Sequence, residues 1–213
     1  RGWDCLARFG DRLRHFSPDQ VRVVGTNTLR VAKNSAAFIR EAEARLGFPI
    51  EIIAGREEAR LIYVGAAHSL PAGKEKRLVV DIGGGSTEFI IGSGMKAQKT
   101  ESLGLGCVTY SLRYFPDGKL SKANFKNAEV AARNEIQRIT HDYTPDQWQL
   151  AVGTSGTARP SSMRFGGSMR LSSARHTSMN SSTAETPWRS MCRRTRAAWL
   201  ANVSIHLRAG TRS

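Results

Sequence analysis

Cysteine is scarce in this sequence of 213 residues, which contains only Cys5, Cys107 and Cys192 and no CxxC pair. This odd, scattered set indicates neither a disulfide framework nor a zinc site, and it is typical of a reducing cytoplasm. Long apolar runs are also lacking, since no stretch approaches the roughly 18 residues of a membrane span. The first four residues contain neither an initiator Met nor the apolar core of a signal peptide. We therefore expect the natural chain to begin upstream.

Acidic residues are few, with 18 Asp and Glu against 32 Lys and Arg, and the formal net charge is +14. Such an excess favours a polyanionic partner, but its distribution matters more than its total. Residues 160–213 contain nine arginines and one glutamate, but no lysine or aspartate. More than half of the positive excess therefore lies in the last quarter of the chain. The apolar fraction of 40% is enough for a buried core.

Helical and extended segments alternate along the first three quarters of the chain. Apolar periodicity and capping residues predict helices over residues 1–16, 35–46, 56–68, 107–115 and 122–143. Short apolar runs predict strands over residues 21–25, 49–54, 78–82, 89–91 and 150–152. This alternation is typical of an α/β domain. Beyond residue 159 no period of either kind is sustained, and we predict no regular element there.

A glycine-rich segment, DIGGGSTE at residues 81–88, joins two of the predicted strands. Successive glycines let backbone N–H groups surround an anion without interference from Cβ atoms, and Ser86 and Thr87 add hydroxyl donors. Asp81 and Glu88 flank the turn, so both carboxylates are placed to reach a hard cation that also binds phosphate oxygens. By itself the segment is equally compatible with a hairpin that has a flexible glycine turn.

Two further segments are less specific. GREEARL at residues 55–61 begins a predicted helix, where acidic residues ordinarily serve only to complement the helix dipole. GTNTLR at residues 25–30 follows a strand and ends in an arginine suited to bidentate phosphate binding. An ordinary surface loop explains that segment equally well.

Together these segments resemble the exopolyphosphatase / guanosine pentaphosphate phosphohydrolase family. The resemblance is carried, in the family's order, by GTNTLR at 25–30, PIEIIAGREEARLIYVG at 49–65, LVVDIGGGSTEFIIG at 78–92 and AVGTSGTAR at 151–159. It covers about residues 1–159. The GGGST sequence is shared with actin, Hsp70 chaperones and sugar kinases, whereas the EEARL segment is similar to this family alone.

The resemblance implies an α/β architecture of two ribonuclease-H-like domains, the superfold of actin, Hsp70 and sugar kinases. Residues 1–68 would form the C-terminal part of the first domain, 69–77 the connection, and 78–159 the start of the second. The family's opening Asp-x-Gly-Ser-Asn-Ser loop is absent from the sequence, which implies a chain truncated at its N-terminus. The likeness stops abruptly after Arg159. We therefore expect residues 160–213 to be a disordered tail translated in a shifted reading frame, because such a composition cannot offset the backbone entropy of folding.

The resemblance also implies roles for individual residues. Glu58 would be the general base that activates water, and Asp81 and Glu88 would hold Mg²⁺. The implied phosphate-binding residues are Arg30, Gly83, Gly84, Gly85, Ser86, Thr87, Gly153, Ser155, Gly156 and Thr157.

These roles lead to an expected function: cytoplasmic hydrolysis of the terminal phosphoanhydride bond of inorganic polyphosphate. Guanosine pentaphosphate is the alternative substrate. Two other hypotheses are a kinase of the actin-like superfold and a polyanion-binding fragment without catalysis, the latter suggested by the Arg-rich tail. Neither a membrane nor nucleic acid is the expected partner, and a homodimer is left open.

Overall fold

The computed structural model describes residues 2–158, 169–171 and 203–207. Within residues 160–213, where a disordered tail was expected, 169–171 and 203–207 form strands. The rest of that expectation, including the shifted reading frame, lies outside the described residues. The chain divides into two compact units, Arg1–Ala54 with Arg196–Ser213, and Gly55–Thr195. The helices are α1 (Gly2–Leu13), α2 (Asn27–Val31), α3 (Ser35–Leu46), α4 (Gly55–Ser69), α5 (Cys107–Tyr114), α6 (Lys122–Gln137) and α7 (Ser155–Ala158). The strands are β1 (Val21–Gly25), β2 (Ile50–Ile52), β3 (Lys76–Ile82), β4 (Thr87–Ser93), β5 (Lys96–Leu103), β6 (Leu150–Thr154), β7 (Met169–Leu171) and β8 (Val203–Leu207).

The first unit has a three-stranded sheet in the order β2–β1–β8, with β1 parallel to β2 and antiparallel to β8. Helices α1 and α3 contribute Leu6, Leu13 and Leu46 to a buried apolar cluster that also contains Val23 and Ile50 of the sheet. Helix α3 ends where Gly47 adopts a left-handed φ of 78° and its N–H donates to the Glu43 carbonyl, a conformation that glycine adopts without a Cβ penalty.

The second unit has a five-stranded sheet in the order β5–β4–β3–β6–β7. Strands β3, β4 and β5 form an antiparallel meander, and β6 lies parallel to β3. Helix α4 covers this sheet: Ala59 and Tyr63 are fully buried in one apolar cluster with Val79, Ile90 and Val152. The face of α4 that buries these residues fixes the position of its acidic first turn within this unit.

Most predicted elements are present, with ends shifted by a few residues. The structure adds five that the sequence patterns did not predict: the short helices α2 and α7, strand β5, whose last residues were expected to begin a loop, and strands β7 and β8, which lie beyond residue 159 where no regular element was expected. Strand β5 was missed because its residues are mostly polar and only Leu103 is fully buried. The predicted helix over 122–143 ends earlier, at Gln137.

The predicted connection at residues 69–77 coincides with the segment between the end of α4 at Ser69 and the start of β3 at Lys76. The buried Arg77 holds this segment, donating to the Pro71 carbonyl at 2.6 Å and to the Glu75 carboxylate. The domain boundaries proposed from sequence stay a prediction. Within the part of the chain that the structure describes, no helix is long and apolar enough to cross a membrane.

Candidate active site

The glycine-rich segment forms the turn of a hairpin between β3 and β4. The Gly83 N–H donates to the Ser86 carbonyl at 2.9 Å and closes the turn. Asp81 and Glu88 are direct partners across the two strands. Because directly opposed residues project to the same face of a sheet, the hairpin places the two carboxylates side by side.

Asp81 is half-buried at the end of β3. The Thr154 hydroxyl, on the neighbouring strand β6, donates to its Oδ2 at 2.8 Å. Burial raises the pKa of the Asp81 carboxyl, while hydrogen bonds from Thr154 and Ser155 act in the opposite direction. Hydroxyl donors thus stabilise the charged form of Asp81, but this carboxylate lacks the full hydration of a carboxylate on the protein surface.

Glu88 is more deeply buried, with only 2% of its surface exposed. The Ser102 hydroxyl donates to its Oε1 at 2.8 Å. Burial is the main cause that raises the pKa of Glu88 to about 7, and the charges of Glu58 and Asp81 raise it further, against hydrogen bonds from Ser86 and Ser102. Two carboxylates, Glu58 and Asp81, therefore act on Glu88, and each of them when ionised disfavours ionisation of Glu88.

The glycine turn is fixed from behind by the N-terminus of α5. The N–H groups of Cys107 and Val108 donate to the carbonyls of Gly83 and Gly84 at 3.0 and 2.9 Å. A Cβ on Gly106, the residue before α5, would lie 2.2 Å from the Gly84 oxygen, so only glycine permits this approach. Helix α5 binds carbonyls of the turn, and among the described residues the N–H groups of Gly84 and Gly85 have no backbone acceptor, so they are placed to donate to an anion.

The second expected phosphate loop, residues 153–157, comprises the last two residues of β6 and the first three of α7, and it lies beside the hairpin. The Ser155 hydroxyl donates to the Ile82 carbonyl at 2.7 Å, and the Thr157 hydroxyl lies 3.8 Å from the Cys107 sulfur. Ser155 has a φ of 69°, the left-handed region that non-glycine residues rarely occupy. The structure therefore brings Gly153, Ser155, Gly156 and Thr157 to the same end of the sheet as Asp81. Their role in phosphate binding stays a prediction.

The two neighbouring glutamates of α4 have different surroundings. Glu57 is bound by the Arg60 guanidinium through two hydrogen bonds of 2.7 and 2.8 Å. Glu58 is half-buried, and its charge raises the pKa of Glu88. The charge of Glu58 therefore acts on Glu88, one of the two carboxylates of the hairpin.

Three of the other expected phosphate ligands have internal partners. The Thr87 hydroxyl donates to the Leu105 carbonyl, and the Ser86 hydroxyl is hydrogen-bonded to Glu88. Arg30 lies in the first unit, where its Nη1 donates to the Ile53 carbonyl at 2.6 Å. Phosphate binding by Ser86, Thr87 and Arg30 stays a prediction.

The carboxylate pair fits a divalent cation, although among the described residues no group of three or more His, Cys, Asp or Glu is placed to hold a metal. Mg²⁺ is commonly bound by one or two carboxylates, with water and substrate phosphate oxygens completing its octahedron. Asp81 and Glu88 supply two adjacent carboxylates whose ionised forms are penalised by burial. A bound cation would remove that penalty.

Two residues of the site were missed by sequence reasoning. Ser102 and Thr154 donate to the two carboxylates from the neighbouring strands β5 and β6. Ser102 was expected in a loop, and Thr154, although it lies within the AVGTSGTAR segment, was assigned no role of its own. Only the pairing of β5 with β4 and of β6 with β3 identifies them.

An antiparallel meander continued by a parallel strand, with a glycine hairpin between two carboxylates, defines an α/β protein of the ribonuclease-H-like, actin-type fold class. This confirms the fold class expected from the sequence. The chain belongs to the Ppx/GppA phosphatase family, whose model matches residues 1–164.

Solved structures agree with this assignment. A Ppx/GppA enzyme of Aquifex aeolicus is 29% identical over 73% of this chain and 50% of its own, with a TM-score of 0.57. An exopolyphosphatase-like protein is 28% identical over 73% of this chain and 49% of its own, with a TM-score of 0.64. An exopolyphosphatase of Cytophaga hutchinsonii, 24% identical over 72% of this chain and 49% of its own, has a TM-score of 0.62 and supports the fold alone. The chain thus spans about half the length of the solved structures that it matches.

Proposed function

We propose that the protein hydrolyses a terminal phosphoanhydride bond, with inorganic polyphosphate as the substrate. The observation that carries this proposal is the Asp81–Glu88 pair across the glycine hairpin, with the charge of Glu58 acting on it. Membership of a phosphatase family and the likeness to an exopolyphosphatase-like structure support the same reaction class.

In the proposed reaction, Glu58 accepts a proton from a water molecule while the water oxygen bonds to the terminal phosphorus. The bridging P–O bond breaks as the new bond forms, and the electron pair leaves with the shortened chain. Mg²⁺, held by Asp81 and Glu88, would supply positive charge to the phosphate oxygens. The amides of Gly84 and Gly85 add donors that are already oriented by α5. A positioned general base typically contributes about 10²–10⁴ in rate.

Glu58→Gln in the full-length protein tests the assignment of the base. We expect it to reduce phosphate release from long polyphosphate to less than about a tenth, while polyphosphate binding is nearly unchanged. Glu57→Gln is the matched control, because Glu57 is the adjacent glutamate and is already paired with Arg60. Equal losses in the two variants, or substantial activity in Glu58→Gln, would contradict the role of Glu58.

Guanosine pentaphosphate is the second candidate substrate, since the family's name covers both activities. The same phosphate-release assay with both compounds decides between them. ATP-dependent phosphorylation of an acceptor would favour the kinase hypothesis, and binding without turnover would favour a polyanion-binding protein. We further propose a cytoplasmic location, supported by Cys5 and Cys107, which are both free thiols. A homodimer stays a prediction.

A further inference from the structure

The two carboxylates of the site are the centre of a row of polar side chains that crosses four strands. Thr154 of β6 is the register partner of Asp81 in β3. Asp81 is in turn the partner of Glu88 in β4, and Glu88 is the partner of Ser102 in β5. Because register partners project to the same face of a sheet, the order across that face is hydroxyl, carboxylate, carboxylate, hydroxyl.

Each outer hydroxyl donates to the carboxylate beside it. Thr154 Oγ1 lies 2.8 Å from Asp81 Oδ2, and Ser102 Oγ lies 2.8 Å from Glu88 Oε1. A carboxylate has about four lone-pair sites on its two oxygens. A donor on the outer side of each carboxylate therefore fixes the side-chain rotamer and leaves the remaining lone pairs for a ligand shared by both.

The outer hydroxyls differ from the hydroxyls of the loops. Ser86 and Ser155 also hydrogen-bond to Glu88 and Asp81, but each of them is itself an expected phosphate ligand, whereas Ser102 and Thr154 are not. Ser102 and Thr154 lie within strands whose backbone is held by the sheet ladder. The hydroxyl groups of Ser102 and Thr154 therefore keep their positions when a phosphate group competes for the hydroxyls of Ser86 and Ser155.

We propose that Ser102 and Thr154 are positioning residues, which orient Glu88 and Asp81 toward a divalent cation shared by the two carboxylates. This inference rests on the proposed function only for the assumption that the shared ligand is a divalent cation. Hydrogen-bond partners of metal-binding carboxylates fix ligand orientation, and their removal typically reduces metal affinity by about 10–100-fold. The row accounts for a polar pair of strand residues that no phosphate-binding role explains.

The test measures Mn²⁺ affinity of the metal-stripped, full-length protein by electron paramagnetic resonance of the free ion. Ser102→Ala is expected to weaken binding by about 10-fold or more, and Ser102→Thr, which keeps the hydroxyl, to restore most of it. Thr154→Val, nearly isosteric but without a donor, and Thr154→Ser form an independent pair. Ser93→Ala is the control, because Ser93 lies in the same sheet and donates to the Lys74 carbonyl at 2.8 Å rather than to a carboxylate.

A role in stability alone would lower the free energy of unfolding and leave the Mn²⁺ affinity of the folded protein unchanged. That result for both Ser102→Ala and Thr154→Val would overturn the inference, as would a wild-type protein that binds no Mn²⁺. Phosphate release by the wild-type protein is measured separately. If neither polyphosphate nor guanosine pentaphosphate is hydrolysed while the Mn²⁺ affinities change as expected, the proposed function fails and the positioning role stands.

Discussion

Gly106→Ala tests whether the contact between α5 and the glycine turn maintains the site. The new Cβ would lie 2.2 Å from the Gly84 oxygen, 2.3 Å from the Gly85 Cα and 2.4 Å from the Gly84 carbonyl carbon. All three are backbone atoms, so no side-chain rotation relieves the clash. The backbone of Gly106, with φ of −107° and ψ of 144°, is one that alanine adopts freely. The effect of the substitution is therefore steric and not conformational.

The magnitude follows from the displacement that the clash requires. Ordinary contact begins near 3.4 Å, so the turn and α5 must separate by about 1 Å, which exceeds what their hydrogen bonds tolerate. Three such bonds join them: the N–H groups of Cys107, Val108 and Thr109 donate to Gly83 or Gly84 at 2.9–3.2 Å. At about 0.5–1.5 kcal/mol for each bond, we expect Gly106→Ala to cost about 3 kcal/mol. Overpacked cores lose a similar amount.

The assay is urea unfolding followed by circular dichroism, with phosphate release measured on the same samples. Gly104→Ala is the matched control, because nothing lies within 4 Å of the Cβ that it adds. We expect Gly104→Ala to change the free energy of unfolding by less than about 0.5 kcal/mol. If Gly106→Ala proves as mild as this control and keeps its activity, then α5 does not hold the turn in the way that the structure indicates.

Three further predictions concern the carboxylates and α4. Without metal, the wild-type protein is expected to lose stability as the pH rises from about 4.5 to about 7, because the pKa of Glu88 is higher in the folded state than the ordinary 4.5. The loss in the free energy of unfolding is at most about 3 kcal/mol. Urea unfolding at pH 5 and pH 8 should show this loss in the wild-type protein and not in Glu88→Gln. Asp81→Ala and Glu88→Ala are each expected to raise the Mg²⁺ concentration needed for half-maximal phosphate release; unchanged metal titrations in both would count against the metal assignment. Gly65→Ala places a methyl group in open space within α4 and is expected to raise the free energy of unfolding by about 0.5–1 kcal/mol; a loss of stability would mean that this helix face is covered.

The features that the sequence determined by itself are local ones. Glycines 83–85 between two apolar runs specify a hairpin turn whatever surrounds them, because a turn is closed by residues adjacent in the chain. The end of α3 at Gly47 is likewise specified by a single residue that adopts the left-handed conformation. The resemblance of whole segments to one family added the fold class and the choice of Glu58, which spacing alone could not provide.

The tertiary structure decided which residues complete the site. The hydrogen bond from Ser102 to Glu88 spans 14 residues of sequence, and the bond from Thr154 to Asp81 spans 73. Both hydrogen bonds depend on strand register, which is set by the packing of entire strands. A shift of one residue would turn these side chains to the opposite face of the sheet. Tertiary packing also distinguishes Glu57 from Glu58, which are adjacent in sequence and chemically identical. The packing of α4 on the sheet leaves one of them paired with Arg60 and brings the charge of the other to bear on Glu88.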